Sequence, residues 1–482
     1  MKSMILKKYL LVYISFIVTG IFTVADMNAR NVDITDFGAV GNGTVLNTMA
    51  IQKAVDTCNE TGGGEVLVPP GTYLTGTIFL RSNVELRLCR GAIILGSYRN
   101  PEDYPERSLI VADSIENAGI SGEGSIDGNA RHPEFQKRYK LNDGKRPYVI
   151  YYKDSKRMTL RNVEVRDAAG WTIRLFRSDR VIVDGISVFS LAMGNNDGID
   201  VDASNVLITG CHIECDDDGI CLKSDDPNFI PENITVTNCI IASNCNPIKF
   251  GTASWGGFRN VTISNCVIRR TTESNIWDWS REYRHIAPKT NTGLAGIAIE
   301  CVDGGIIENV NCNNITMEGI ITPIFVCLNH RRMNFHTGKS GIIRNLQFSN
   351  ITAIAEGIIP TLIAGTPTGR ISDIVLRDII VEHAGGEQEM TEPVPENLKG
   401  YPENRMYGRK NPAGGLYVRH ADNIIVENYQ VRQRKQDARP AIYMDDVTNV
   451  QVENLKSTGS TAKRVIQTDK CVNITLDGRK VK

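Results

Sequence analysis

The sequence at 205–213, NVLITGCHI, carries the pattern that decides the fold, and close copies stand at 233–241 (NITVTNCII) and 260–268 (NVTISNCVI). Each copy begins with Asn, and its apolar residues alternate with other residues, as in a strand that buries one face. The copies begin 28 and 27 residues apart, a spacing typical of one coil of a solenoid protein. This region therefore predicts stacked coils of β-structure.

The same pattern extends in both directions along the chain. Two copies precede these three, and degenerate copies follow them, at 157–165, 180–188, 309–317, 345–353, 373–381, 423–431 and 449–457. No segment with a helical period separates the copies, which argues against alternating strand–helix units. We predict an all-β fold in which strands of successive coils stack as a parallel β-helix. The recurring Asn is expected to form hydrogen-bonded ladders at the turns rather than to carry glycans.

The N-terminal residues predict export. Residues 1–25 have the pattern of a secretory signal peptide, with three lysines before an apolar run at 9–18 and a small-residue cleavage site near 23–25. We expect the remaining 26–482 to form a single β-helix domain that acts in the periplasm or outside the cell.

A short amphipathic helix is predicted at 48–60, TMAIQKAVDTCNE. Its expected apolar residues are Met49, Ile51, Ala54, Val55 and Cys58. This helix would cap the open end of the solenoid, where unpaired strand edges otherwise promote aggregation.

Composition and net charge limit the classes of molecule that this protein is expected to bind. The 482-residue chain is 23% charged with a formal net charge of −1, and removal of 1–25 with its three lysines gives 51 − 55 = −4. Neither nucleic acid nor an anionic membrane is therefore an obvious partner. No later apolar stretch is long enough to span a bilayer, and no Cys near the signal can accept a lipid. The sequence carries no signal of an oligomeric state.

Twelve cysteines in an exported chain first suggest disulfides. Cys211, Cys239 and Cys266 instead occupy the same slot of three successive copies, so we predict a stack of free thiols in the core, with disulfides as the alternative. A second group lies near the acidic residues described below and leaves one bridge possible: Cys215, Cys221 and Cys245.

Two stretches interrupt the rhythm and are predicted to be long loops, at 270–295 and 384–415. The first contains Trp277, Trp279, Arg281, Tyr283, Arg284 and His285, and the second contains Tyr401, Arg405, Tyr407, Arg409 and Lys410. Aromatic faces and Arg forks suit sugar rings and carboxylates, and long loops on rigid scaffolds often line binding sites. The alternative is a pair of surface flaps.

Three acidic residues on neighbouring segments are the candidate catalytic groups: Asp197 in 195–198 (NNDG), and Asp217 with Asp218 in 215–219 (CDDDG). They lie about one copy apart, so coils stacked at ~4.8 Å would bring the three carboxylates to one patch. Like charges held so close raise at least one pKa, which keeps one carboxyl protonated while its neighbours act as bases. That arrangement suits hydrolysis of a glycosidic bond.

Other charged residues nearby have less specific interpretations. We interpret several aspartates as structural turn or loop residues: Asp200, Asp202, Asp216, Asp225 and Asp226. Lys249 alternates with Ile248 and Phe250 and should point outward, where it would bind a substrate carboxylate or pair with an aspartate. Lys223 has the same two possibilities.

Several segments together resemble one family. The opening at 35–43 (TDFGAVGNG), 52–54 (QKA) and 63–73 (GGEVLVPPGTY) is similar to that of many pectin-active β-helix proteins. The segments 195–200 (NNDGID) and 217–224 (DDGICLKS) are similar to the Asn-Thr-Asp and paired-Asp motifs of glycoside hydrolase family 28, with Asn in place of Thr. The resemblance to these polygalacturonase-like glycosidases runs through most of the mature chain. It implies a right-handed single-stranded parallel β-helix, a pectin-lyase-like solenoid.

Two other motifs of that family are altered. Gly-His-Gly should fall at 245–247 (CNP), so Asn246 stands at the His position. Arg-Ile-Lys should fall at 298–300 (AIE), where Ala298 and Glu300 replace the residues that hold the galacturonate carboxylate in polygalacturonases. Because Glu300 would repel that carboxylate, we expect a decorated or rhamnose-containing pectin, or terminal galacturonate, as the substrate.

The resemblance implies an inverting hydrolase of pectic polysaccharide that needs neither metal nor other cofactor. Asp217 would protonate the leaving oxygen, while Asp197 and Asp218 would bind and deprotonate the attacking water. Inversion is associated with acid and base carboxyls ~6.5–9.5 Å apart. The candidate substrate-binding residues are Asn246, Lys249, Glu300 and Lys223.

Two alternatives remain open from the sequence. One is a calcium-dependent pectic lyase, in which calcium bound by the acidic cluster acidifies a uronate and a base removes its C5 proton. The cluster contains no Arg to act as that base. The other is a non-catalytic β-helix that binds glycans, which the loss of the His makes more credible.

Overall fold

The structure, a computed structural model, describes residues 31–139, 145–273, 291–331, 340–390, 392–408 and 410–481. The predicted signal peptide at 1–25 lies outside the described residues. So do the six aromatic and basic residues of the first predicted loop and Arg409 of the second. These predictions stay predictions.

Short strands make up most of the described chain. The N-terminal coils contain Val32–Asp33, Asn42–Leu46, Gly64–Val68, Gly71–Thr75, Ile78–Phe79, Val84–Leu88, Ala92–Gly96, Ser108–Asp113, Gly119–Gly122, Ser125–Asp127, Tyr148–Lys153, Lys156–Arg161 and Glu164–Arg166. The central coils contain Ile173–Asp184, Ser187–Ser190, Ile199–Thr209, His212–Cys215, Ile220–Ser224, Glu232–Thr237, Ile240–Ser243, Ile248–Ser254, Gly257–Arg269 and Gly293–Cys301. The C-terminal coils contain Ile306–Leu328, Ile342–Ala355, Thr361–Ala364, Ile371–Gly385, Leu416–Asp437, Ile442–Glu453, Lys456–Ser460, Ile466–Asp469, Val472–Leu476 and Arg479–Lys480.

The strands pair in parallel from one coil to the next, which confirms the prediction of an all-β parallel β-helix. One of the resulting sheets, called sheet A here, contains the candidate site. Its central strands are Ile220–Ser224, Ile248–Ser254 and Gly293–Cys301, preceded by the first residues of Ile173–Asp184 and Ile199–Thr209. Alternate residues of each strand enter the hydrophobic core, where Ile199, Ile220, Ile248 and Ile297 lie in one row.

Five of the ten nine-residue copies, including 205–213 and 233–241, span a corner between two strands. The other five, including 260–268, lie within one continuous strand, so the expectation of one strand per copy holds for half of them. Within 205–213, the strand Ile199–Thr209 ends and His212–Cys215 begins on either side of Gly210, whose φ is 64°. Asn238 and Asn265 take the same place in the next two copies, with φ values of 58° and 55°. Gly and Asn tolerate this left-handed region better than other residues, which explains why they recur at the sixth position.

The first Asn of each copy forms the predicted ladder. Asn233 Nδ2 donates to Asn205 Oδ1 at 3.0 Å, and Asn260 Nδ2 donates to Asn233 Oδ1 at 3.1 Å. The chain of amides continues through Asn309 to Asn345, at 3.1 and 3.2 Å. The ladder is thereby confirmed, and it ties five coils together along one edge.

The predicted helix is confirmed at Thr48–Glu60. Ile51, Ala54, Val55 and Cys58 are fully buried against the first coils. Met49 is 82% exposed, so its assignment to the apolar face was wrong. Nine residues at ~100° each place Met49 on the side of the helix opposite Cys58. A second helix, Pro133–Arg138, and two 3-10 turns, Ile34–Phe37 and Pro101–Asp103, complete the helical residues of the described chain.

The cysteines follow the prediction of a thiol stack. Cys211, Cys239 and Cys266 are buried free thiols in the core. The bridge that the sequence left open among Cys215, Cys221 and Cys245 is not formed in the described chain, where all three are free.

The boundaries of both predicted loops differ in the structure from those expected from the sequence. The strand Gly293–Cys301 begins inside the first, and the second is an irregular segment of 386–415 between Ile371–Gly385 and Leu416–Asp437. That segment is anchored on the outer face of sheet A, because Asn404 Nδ2 donates to the Leu294 carbonyl at 2.6 Å and to Thr322 Oγ1 at 2.9 Å.

Among the residues that the structure describes, no helix has the length and apolar character needed to cross a bilayer.

Candidate active site

The three candidate aspartates lie in the turns that lead into strands of sheet A. Asp197 precedes Ile199–Thr209, and Asp217 with Asp218 precedes Ile220–Ser224. These two strands are paired neighbours, so the turns stack one coil apart, and the Gly198 amide donates to the Asp218 carbonyl at 2.9 Å. The structure thus brings the three predicted residues together, each at least nine-tenths buried.

The carboxylates lie closer together than the spacing associated with inversion. One oxygen of Asp217 lies within 4.8 Å of one oxygen of Asp218, and the same limit holds between Asp197 and Asp218. Asn195 Nδ2 donates to Asp217 Oδ2 at 3.2 Å, and the Asp218 amide donates to Asp217 Oδ1 at 2.9 Å. The expected separation of ~6.5–9.5 Å is therefore not found between Asp217 and Asp218. Both motifs stand at the same entrance to sheet A, which accounts for the short distance.

Each of the other two aspartates is paired with a buried lysine. Lys223 Nζ lies 2.9 Å from Asp197 Oδ2, and Lys249 Nζ lies 3.1 Å from Asp218 Oδ2. Of the two roles that the sequence left open for these lysines, the structure shows pairing with aspartates. Both lysines nevertheless line the cleft described below, where they remain candidates for substrate contact.

Burial and the lysines move the carboxyl pKa values in opposite directions. Burial, together with the charges of Asp197 and Asp218, raises the pKa of Asp217 to about 8. Burial also acts on Asp218, but the ammonium groups of Lys249 and Lys223 outweigh it and hold the pKa of Asp218 below its ordinary value. Asp217 is therefore protonated at neutral pH while Asp218 is ionised, which is the division that acid/base catalysis needs.

Asn246, at the position of the missing His, orients Asp218. Its Nδ2 donates to Asp218 Oδ1 at 2.8 Å, and its Oδ1 accepts from the Ala295 amide at 3.2 Å. Because Asn246 also lines the cleft, its predicted contact with substrate remains a prediction.

Glu300 lies behind the cleft and is absent from the described residues that line it. Its side chain is 1% exposed, and Thr252 Oγ1 donates to its Oε2 at 3.2 Å. Burial raises the pKa of Glu300 to about 7, against the opposing charge of Lys249. The predicted repulsion of a substrate carboxylate is weakened where Glu300 is both shielded and protonated.

Most of the remaining aspartates have structural contacts, as expected. Asp200 and Asp202 nevertheless lie within the strand Ile199–Thr209, so their interpretation as turn residues was wrong. Asp202 Oδ2 accepts from the Asp225 amide at 3.0 Å, and Asp216 Oδ1 accepts from Asn244 Nδ2 at 2.9 Å. Asp200 Oδ1 lies 3.3 Å from Lys223 Nζ. Burial and the charge of the adjacent Asp197 raise the pKa of Asp200 well above its ordinary value. Asp226 Oδ1 accepts from the Asn228 amide at 2.9 Å. Asp225 departs from the prediction, because it lines the cleft.

The trio opens into a cleft of about 320 Å³. Its lining includes three residues that were not predicted from the sequence: Trp171, Thr252 and Arg331. Trp171 lies just before the strand Ile173–Asp184 of sheet A, one coil ahead of Asp197. The register between successive coils could therefore have predicted its place in the cleft. Arg331 carries no such signal, since it follows the strand Ile306–Leu328 and reaches the cleft only through the fold. A larger groove of about 590 Å³ lies elsewhere, along the Asn ladder, and offers one carboxylate, Asp373.

The irregular segment 398–404 contributes to the wall of the cleft on the C-terminal side of the trio. Tyr401, predicted as a loop residue that contacts substrate, lines the cleft and places its hydroxyl 3.1 Å from Thr252 Oγ1. The segment is held in place because the His330 amide donates to the Leu398 carbonyl at 2.8 Å, and Asn329 Nδ2 donates to the Gly400 carbonyl at 3.1 Å.

The other residues predicted for this loop do not line the cleft in the described chain. Arg405 pairs with Glu403, Tyr407 is buried, and Lys410 pairs with Glu392 at the surface. Two residues of the loop, Tyr401 and Glu403, therefore line the cleft, while several others anchor it.

Two groups of side chains have the proximity of metal ligands: Asp197, Asp218 and Cys221, and Asp217, Asp218 and Cys245. Calcium takes six to eight oxygen ligands, whereas each group offers two carboxylates and a thiol. Lysine ammonium groups already bind Asp197 and Asp218. The residues present fit an acid/base site better than a calcium site.

Comparison with known proteins finds similarity to one family of glycosyl hydrolases. Residues 58–276 match the family Glycosyl hydrolases family 28. A probable polygalacturonase of Vitis vinifera is 29% identical over 231 residues, which are 42% of this chain and 46% of that protein. An exo-poly-alpha-D-galacturonosidase of Dickeya chrysanthemi is 24% identical over 377 residues, 64% of this chain and 59% of that protein. The chain thus spans about half the length of these relatives.

Two further matches bear on fold and on function. The crystal structure of a hyperthermoactive exopolygalacturonase from Thermotoga maritima covers 73% of this chain and 87% of its own, with a TM-score of 0.60 and 22% identity. That likeness shows a shared fold. The plasmin and fibronectin-binding protein A of Streptococcus pneumoniae is 33% identical over 166 residues, 31% of this chain and 23% of that protein.

Proposed function

We propose, on the premise that this chain belongs to glycosyl hydrolases family 28, that it hydrolyses α-linked galacturonate-containing pectic polysaccharide by acid/base catalysis with inversion. The observation that carries the proposal is a protonated Asp217 beside two lysine-paired carboxylates, Asp197 and Asp218, in one cleft. The pattern of residues 1–25 supports export as part of this proposal.

In the proposed reaction, Asp217 gives its proton to the leaving glycosidic oxygen while Asp218 and Asp197 take a proton from water that attacks the anomeric carbon. Lys249 and Lys223 keep Asp218 ionised before that step, and Lys223 also pairs with Asp197. Solvent then returns a proton to Asp217 and removes one from the base pair, so the site is restored without a cofactor. Because the carboxyl oxygens lie within 4.8 Å, inversion rests on the family and not on carboxyl spacing.

The wall that segment 398–404 forms on one side of the cleft supports attack at a chain end. Segment 398–404 crosses sheet A beside the trio, with Tyr401 at the wall. A polymer that passed through the cleft in both directions would meet this segment. We therefore propose that the enzyme releases terminal sugars, and the Dickeya relative, named for exo action, supports this assignment.

Product analysis tests the proposed function. Incubation with polygalacturonate, rhamnogalacturonan and short oligogalacturonides is expected to release a small saturated sugar from chain ends of one of them, unaffected by a chelator. Because the linkage is α, inversion predicts the β anomer as the first product in proton NMR. A ladder of intermediate lengths at early times would contradict chain-end attack, and an α anomer would contradict inversion.

Arg331 is the candidate for binding a substrate carboxylate, in place of the altered Arg-Ile-Lys motif. Its Nε and Nη2 donate to the buried Asp303 at 3.2 and 2.6 Å, which fixes the guanidinium at the cleft wall. Its Nη1 makes no hydrogen bond to the other described residues, and we propose that it donates to a uronate. A charge-assisted hydrogen bond of this kind contributes about 1.5–3 kcal/mol.

Arg331→Gln is expected to raise KM for a galacturonide about 10- to 100-fold, with a smaller effect on the methyl-esterified form, whose carboxyl is neutral. The measurement is kinetics on the two substrates side by side. Arg344→Gln is the matched control, since Arg344 makes a bidentate contact with Glu308 on an exposed surface away from the cleft. Equal losses on charged and esterified substrate would exclude carboxylate recognition by Arg331, and Arg331→Lys checks that the protein folds when Asp303 keeps a cation.

The lyase alternative is less well supported by the site. Lysines bind the acidic groups that calcium would need, although the cleft does contain an Arg, Arg331, that the sequence did not place there. A 4,5-unsaturated product whose formation stops on chelation would establish the lyase and overturn the hydrolase.

A non-catalytic binding role is favoured by one observation, the similarity over 166 residues to a pneumococcal protein that is named for binding plasmin and fibronectin, and we take glycan binding as the form of that role. It predicts binding of pectic oligosaccharides with no product after long incubation, and binding that is insensitive to the protonation of Asp217. A protein that only binds glycans does not need a raised pKa at Asp217 beside a lowered pKa at Asp218, so we prefer hydrolysis.

A further inference from the structure

A group of aromatic side chains continues the outer face of sheet A from the cleft toward the N-terminus. Tyr148 and Trp171 are stacked, with centroids 5.5 Å apart and planes 9° apart, and Tyr151 meets Tyr148 edge-on at 5.9 Å. Phe176 completes the group, which we call the aromatic shelf. All four side chains are partly exposed, whereas aromatic side chains with no ligand are more often buried in a core.

The shelf is organised around one cation. The guanidinium carbon of Arg174 lies 4.8 Å from the Trp171 ring centroid and 4.9 Å from that of Phe176. Arg174 Nη2 donates to Asp225 Oδ2 at 2.9 Å, and Asp225 lines the cleft. The shelf is therefore a rigid surface, fixed by cation–π contacts and by an ion pair to the cleft wall.

The shelf and the cleft form one continuous surface. Tyr151, Arg174 and Asp200 are paired residues of successive strands, and the same row continues through Cys221 to Lys249. Trp171 belongs to both, because it lines the cleft and lies 4.9 Å from Lys223 Nζ. Each coil advances ~4.8 Å, so Tyr151 lies about four coil steps from Lys249 along this row.

The charges of the shelf suit an anionic sugar chain. Arg107 is exposed and its guanidinium lies 5.2 Å from the Tyr148 ring centroid. No carboxylate pairs with Arg107 in the part of the chain that the structure describes. A cation above an aromatic face presents a donor for a carboxylate next to a surface for the apolar face of a sugar ring.

We propose that the aromatic shelf is a distal subsite for the polymer, binding pyranose rings of a uronate-containing chain whose terminal unit occupies the cleft. This rests on the proposed function. Tyr401 of segment 398–404 lines the opposite side of the cleft from Trp171, so we expect a chain that extends from the trio to run along sheet A over Trp171, Tyr148 and Tyr151. The shelf then favours long chains over short ones by adding contact area remote from the bond that is cleaved.

Binding to the inactive Asp217→Asn protein tests the shelf without turnover. In calorimetry with saturated oligogalacturonides, we expect Tyr151→Ala in that background to weaken binding of a six-sugar chain about tenfold and of a two-sugar chain less than twofold. Tyr151→Phe keeps the ring and is expected to retain most of the affinity. Tyr443→Ala is the matched control, since Tyr443 is a partly exposed aromatic on the same face beyond segment 398–404, and it should change neither value.

The outcomes separate the shelf from the proposed function. Loss of equal size for both chain lengths, or no loss for the long chain, would overturn the shelf while hydrolysis by the unmodified protein stands. Length-dependent loss without hydrolysis by the unmodified protein would support the shelf and overturn the enzyme. Binding of neither oligogalacturonide, nor of rhamnogalacturonan oligosaccharides, would overturn both.

Discussion

Asp217→Asn is expected to lower kcat about 10²- to 10⁴-fold, the range associated with loss of a general acid. An amide cannot deliver the proton that the leaving sugar oxygen needs, while the hydrogen bond from Asn195 to this position can be accepted by the amide oxygen. The fold should be unaffected, because Asp217 is protonated in the native protein near neutral pH and the substitution removes little charge. Measurements of kcat and of the thermal unfolding midpoint separate these effects.

The chemistry of the leaving group distinguishes an acid from a base. A substrate whose leaving group is a nitrophenol needs little protonation, so Asp217→Asn should recover much of its rate on it, whereas Asp218→Asn should not. Asp226→Asn is the matched control, as it changes an aspartate in the loop after Ile220–Ser224 and should retain kcat. If the nitrophenyl substrate rescues Asp218→Asn and not Asp217→Asn, the roles of the two residues are reversed.

The pH profile of the unmodified enzyme follows from the same assignment. Asp217 must be protonated, and burial with two neighbouring charges raises its pKa to about 8, so kcat should fall as pH rises through about 8. Asp218 must be ionised, so kcat should fall at low pH only below the ordinary carboxyl value, since Lys249 and Lys223 lower its pKa despite burial. The two limbs belong to the coupled trio as a set. Loss of the alkaline limb in Asp217→Asn would identify Asp217 as the acid.

The repeat explains why so much of this arrangement is readable from the sequence. Copies such as 205–213 and 233–241 set both the strand period and the coil length, and together these fix which turns are stacked. That was enough to bring Asp197 to Asp217 and Asp218, and to place Cys211, Cys239 and Cys266 in one core stack. The helix at 48–60 was also predictable from the sequence, because the spacing of its apolar residues is a local pattern that does not depend on distant contacts.

The features that the sequence did not predict depend on contacts between distant segments. Arg331 reaches the cleft from the end of a strand two coils away. Tyr401 was predicted as a residue of a binding loop, but its place at this cleft depends on the anchors of its segment at Leu294, Thr322 and Asn329. Neither contact follows from a period. The pairing of Lys249 with Asp218 was only partly predictable from the sequence. The pairing of Cys221 with Lys249 in neighbouring strands places the lysine beside the turn that contains Asp218. Only the structure shows that Asp218 is its partner.

Lys249→Met is expected to lower the free energy of unfolding by about 3–5 kcal/mol, the cost of leaving a buried charge without its partner. Asp218 is 3% exposed and retains only hydrogen bonds, such as that from Asn246. In the unmodified protein this contribution is present above the ordinary carboxyl pKa and is lost as pH falls through the lowered pKa of Asp218. Denaturant unfolding at neutral and at acidic pH measures it, and the difference between the two proteins should shrink in acid.

The same substitution should also abolish most activity, because without the ammonium group burial raises the pKa of Asp218 and the base is protonated. Lys249→Met combined with Asp218→Asn removes both charges, and it should restore most of the stability and none of the activity. Arg344→Gln breaks an exposed pair with Glu308 and should cost less than about 1 kcal/mol. If Lys249→Met costs no more than this exposed control, then Asp218 is not held as a buried anion, and its role as the base that activates water cannot stand.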